Sequence, residues 1–153
     1  VGAANVLETA IIGAFYVTAV GAYVEAATYA PSQGVPAEML RETTRLALRT
    51  LGRGTKEAAA AIESGDHRTD QATLETYAEG ARHGLDAMRA AGHRARLLAA
   101  AVETLDAARA AGLGGLGIYA QTEIVQDGGS SPRWAQSGTR PPATRRRATT
   151  MPP

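Results

Sequence analysis

Glu8 is the single charged side chain between Val1 and Val24, in the run VGAANVLETAIIGAFYVTAVGAYV. A carboxyl group covered by apolar neighbours is pushed towards its neutral form, and that suits it to donate a proton or to anchor a polar substrate atom. At helical spacing Tyr16 lies about 80° further round and about 12 Å along the axis from Glu8, and Tyr23 falls near the azimuth of Tyr16. Ile12 stands between Glu8 and Tyr16. These residues could line one side of a cleft; equally, Glu8 at a frayed helix end would face water, and tyrosines commonly sit at packing seams.

Glu75, Glu79 and His83 recur at i, i+4 and i+8, on one side of a helix. Glu79 could hold the His83 imidazole in one orientation beside a cleft. The same pair offers two metal ligands, too few for a site, so no metal is expected. His67 follows Asp66 in a polar turn and His93 lies just past a helix end, where a cation suits the dipole. Both histidines read as structural. The glycines of LGGLG (113–117) do not form GxGxxG, and GRGTK (52–56) lacks phosphate-loop spacing, so no cofactor-binding residues are assigned in this chain.

The elements that must position these groups are all helical, because no stretch alternates at period two for long enough to form a strand. The first helix, 3–29, would be about 40 Å long, whereas a compact 126-residue body has a radius of gyration of only about 14 Å. It is apolar nearly all round, so its surplus must be covered by something else, and Gly13, Ala14, Gly21 and Ala22 would allow another backbone to approach. SQGVP (32–36) is a turn, and Pro36 opens a second helix to Leu51. GRG (52–54) should stop it, with a third helix from Thr55 to Ile62. A fourth begins at Thr69 or Asp70 and closes at Gly92. The fifth, 94–111, ends at Gly112, and a short sixth passes through Ile118, Tyr119 and Ile124. The expectation is six helices and no sheet, with dimerisation through the first and fourth.

The chain has 153 residues, 44% of them apolar and 20% charged, enough for one domain with a sizeable core. Residues 1–126 carry 11 basic and 14 acidic residues, whereas 127–153 carry five basic and one acidic. A body of net −3 gives no general reason to approach nucleic acid or an anionic membrane. The uncharged stretch 9–24 is shorter than the roughly 20 residues that span a bilayer, so no membrane is expected. Five of the seven prolines fall in 127–153, where only Trp134 offers apolar area. That segment reads as a disordered Pro/Arg-rich tail, and Arg145, Arg146 and Arg147 as part of its solvated charge. The absence of cysteine excludes disulfides and thiolate chemistry and leaves the cytoplasm as the default compartment. A start at Val1 with no basic n-region argues against a signal peptide and suggests a fragment or a processed chain.

The pieces VGAANVLETAIIGAFYVTAVGAYVEAA, AIESGDHRTDQATLETYAEGARHGLDAMRAAG and AARAAGLGGLG together resemble the helical C-terminal domain of NADPH-dependent imine reductases and reductive aminases, within the beta-hydroxyacid dehydrogenase group. The resemblance covers about 1–123. It implies a six-helix dimerisation domain like the C-terminal domain of 6-phosphogluconate dehydrogenase, with 1–29 as the long interdomain helix. It further implies a homodimer whose sites lie between one chain's nucleotide domain and the other's helical domain. Glu8 falls at the family's aspartate or tyrosine position, which donates a proton or anchors the substrate amine, and Tyr16 matches a substrate-pocket tyrosine. The substrate implied is an imine, or a ketone with an amine. The N-terminal Rossmann domain that would hold NADPH is not among these 153 residues, so the chain alone should be inactive. The alternative is a non-catalytic dimerisation module derived from the same family.

Overall fold

The computed structural model describes residues 2–125. The tail expected at 127–153, with Trp134 and Arg145 to Arg147, lies outside them. Five helices are present among the described residues: α1 (Ala3–Ser32), α2 (Ala37–Ser64), α3 (Leu74–Ala90), α4 (Arg96–Ala110) and a short α5 (Thr122–Val125), led in by a 3-10 turn at Ile118–Gln121. The expected count of six fails at one place. GRG does not stop the second helix, and α2 runs through it to Ser64. Glycine inside a helix costs only about 1 kcal/mol, and Gly54 lies against the 118–121 turn, where an added Cβ would come within 3.1 Å of the Tyr119 hydroxyl.

The core is made by α3 and α4, with the segment after α4 folded across them. Leu74, Ala78, Leu105, Ala108, Leu113 and Ala120 form one buried cluster, and Leu85, Met88, Ala95 and Val102 form a second, against which Tyr29 packs. Both helices end as their glycines require. Gly92 and Gly112 adopt left-handed φ values of 82° and 85°, which lets the following His93 and Leu113 return N–H bonds to Met88 and Ala108.

The start of α3 lies later than the expected Thr69 or Asp70. Asp66 accepts the backbone N–H of Arg68 and Thr69 that of Gln71, so short polar side chains hold this segment as turns. Thr73 then caps the helix by accepting the Thr76 N–H. The remaining open N–H groups of Leu74 and Glu75 donate to the carbonyls of Leu116 and Gly114, at 2.7 and 3.0 Å. Gly117 pairs with Thr73 as an isolated bridge and donates to the His67 carbonyl at 2.7 Å. The loop read as LGGLG thus closes the N-terminus of α3.

Helix α1 is continuous but not uniform. From Glu8 to Tyr16 it is wound as a π-helix, closed by Val17 N–H donating to the Ile12 carbonyl, and from Val17 it is α-helical. Every residue from Gly2 to Thr18 is exposed. Packing against the body begins around Ala19 and Gly21, and at Gly21 an added Cβ would meet Leu97 at 2.7 Å. The surplus apolar length expected from the sequence is present and uncovered, with Ile11, Ile12, Phe15, Val17 and Val20 all exposed. By length and composition alone this helix is also sufficient to cross a membrane. Further exposed apolar residues lie on α2: Met39, Leu46, Leu48, Leu51 and Ile62. Helix α3, the fourth helix of the sequence reading, turns Leu74, Ala78, Leu85 and Met88 into its own core and keeps Glu79 and His83 exposed on its other side.

Candidate functional site

Glu8, Ile12 and Tyr16 lie on the π-wound segment, which begins at Glu8 and ends at Tyr16. The expected 80° offset assumed α winding, in which a step of four residues overshoots one turn. A π turn, with its i→i+5 bonds, is a little wider than four residues. The drift from Glu8 through Ile12 to Tyr16 therefore reverses direction, while the three still share one stripe. All three are exposed, Ile12 at 54% and Tyr16 at 58%, and no described part of the chain covers Glu8.

Glu79 and His83 are exposed on α3. Glu75, the first of that row, is taken by Arg109 in a bidentate ion pair of 2.9 and 2.6 Å. Its hydrogen bonding holds Arg109 firmly charged, with a smaller attraction from Glu79. Arg109 also reaches Asp106, which pairs with Arg82. Within the described chain nothing joins Glu79 and His83 to Glu8. Among the described residues no three metal-ligating side chains gather.

His67 is more than the surface-turn residue its position suggested. Its side chain is only 5% exposed, Nε2 lies 3.2 Å from Glu123, and Nδ1 has no partner. It lines a cleft of about 700 Å3 with Glu57, Asp66, Asp70, Tyr77 and Tyr119. The Arg68 side chain and backbone N–H hold the Asp66 carboxyl down at about 2. Burial pushes the Tyr119 phenol up, and the Glu57 carboxylate, which accepts its O–H at 3.3 Å, adds to that. The sequence signal was Asp66–His67–Arg68 in a polar turn; Glu123, the partner of His67, lies 56 residues away.

An all-helical domain with a long uncovered first helix defines the class, and the family model for the C-terminal domain of NADPH-dependent reductive aminase-like proteins matches residues 1–127. The chain belongs to that family. An imine reductase from Pseudomonas sp. aligns over 75% of this chain and 40% of its own, at 27% identity and a TM-score of 0.72. A reductive aminase from Aspergillus terreus shares the fold at 19% identity, with a TM-score of 0.74 over 82% of this chain and 44% of its own. An imine reductase from Myxococcus stipitatus does likewise at 19% identity, with a TM-score of 0.73 over 82% and 46%. The chain therefore spans about two fifths of the length of the solved proteins it matches. None of the curated proteins matches it.

Proposed function

We propose that residues 1–126 form the helical, substrate-side domain of an NADPH-dependent imine reductase-like oxidoreductase, of the 6-phosphogluconate dehydrogenase C-terminal-like kind. It acts in the cytoplasm as a homodimer on an imine, or on a ketone with an amine. One observation carries this reading: in a chain of this family, the exposed N-terminal part of the first helix, up to Thr18, presents a single charged group, Glu8, on an apolar stripe with Ile12 and Tyr16 that its own fold leaves uncovered. Covering that stripe with a second copy and the substrate would place the carboxyl beside the substrate nitrogen, where it can deliver or hold a proton. Ile12 and Tyr16 form the wall there, and Glu79 and His83 approach from the second copy. The uncovered apolar residues of α1 and α2 supply the apolar part of the dimer surface, and the exposed side of α3, which carries Glu79 and His83, belongs to the same interface.

NADPH, when bound, supplies the hydride for the C=N bond. The described residues do not fit that cofactor, since they contain no sheet from which a dinucleotide site could be built. A nucleotide domain that is not among the described residues would hold it, and these residues by themselves are inactive.

Calorimetric titration of the purified chain with NADPH should show no binding. Joined to a matching nucleotide domain, it should oxidise NADPH with a cyclic imine. Glu8→Ala should lower that rate by about 100-fold or more, in the range for a positioned acid, while Glu8→Asp retains part of it. Undiminished activity in Glu8→Ala would remove Glu8 from the reaction. A folded pairing with no activity would favour the non-catalytic dimerisation module.

A further inference from the structure

We draw no further inference here: the strongest candidate, the apolar groove that Leu46, Ala47, Leu51 and Ala58 of α2 form with Tyr77 and Ile118, belongs to the homodimer surface already proposed for α1 and α2, and nothing in the structure shows another occupant that covers it.

Discussion

The carboxylate of Glu25 accepts the backbone N–H groups of Leu97 and Leu98, at 3.0 and 3.3 Å, and so caps α4 from a helix 72 residues earlier in the chain. The local sequence offers no cap. Ala95 holds the N-cap position with a left-handed φ of 44° and no side-chain acceptor. A negatively charged cap both satisfies open donors and complements the positive end of the helix dipole.

Glu25→Ala should therefore destabilise the fold by about 1–2 kcal/mol, a fall of roughly 2–8 °C in Tm for a domain of this size. Glu25→Gln keeps an acceptor and should lose less. Chemical denaturation of the three proteins decides it; an unchanged midpoint in Glu25→Ala would mean that the cap contributes nothing.

Gly117 and Gly115 separate crowding from flexibility within one loop. A Cβ at Gly117 would stand 3.2 Å from the His67 carbonyl and 3.3 Å from Thr69, whereas nothing lies within 4 Å at Gly115. Gly117→Ala should cost about 1–3 kcal/mol, as overpacking does, and Gly115→Ala should lie within about 0.5 kcal/mol of the parent, as surface changes do. Equal midpoints for the two variants would contradict the close approach of this loop to His67.

The Asp66–Arg68 pair has a defined pH signature. The carboxyl sits at about 2 in the folded chain against 3.8 for a free aspartate, so the pair's contribution is fully present above 3.8 and lost as pH falls through about 2. Carboxyl-detected NMR titration should give Asp66 a midpoint near 2, rising towards 3.8 in Arg68→Ala. A midpoint unaffected by that substitution would reject the pairing.

If a second copy covers α1, the full chain should sediment as a dimer at micromolar concentration. Phe15→Asp, on the uncovered stripe, should shift it to monomer. A parent that is monomeric, with α1 protected from hydrogen exchange, would exclude the dimer. The lack of cysteine permits a second measurement: a single thiol placed at Ile12 should be shielded from a bulky thiol reagent in the dimer and reactive in the Phe15→Asp background.

What could be read in the sequence was what neighbours in the chain decide. Gly92 and Gly112 end their helices because the left-handed turn they permit is local, and the surplus apolar length of α1 followed from its composition. The break at GRG was misread because the cost of each glycine is local, whereas its compensation, the Tyr119 side chain against Gly54, is not. The start of α3 was misplaced because Asp66 and Thr69 use their side chains to hold turns, and Thr73 is the residue whose hydroxyl caps the helix. Of the site, the grouping of Glu8, Ile12 and Tyr16 on one helix was legible. The π winding between them was not, since a sequence period can be read only once the winding is known. His67 meets Glu123 56 residues away, and no spacing rule connects residues that far apart.

The lid that Gly114, Leu116 and Gly117 place over the start of α3 also sets an order of events on the ribosome. Helices α3 and α4 leave the exit tunnel before the segment that closes them. At about 5–20 residues per second, the N-terminus of α3 waits roughly 2–9 s for Gly117 to be synthesised. During that interval Leu74, fully buried in the finished fold, lacks the backbone carbonyls that hold it in place. A pause in translation within this stretch would prolong the interval in which that core is unfinished.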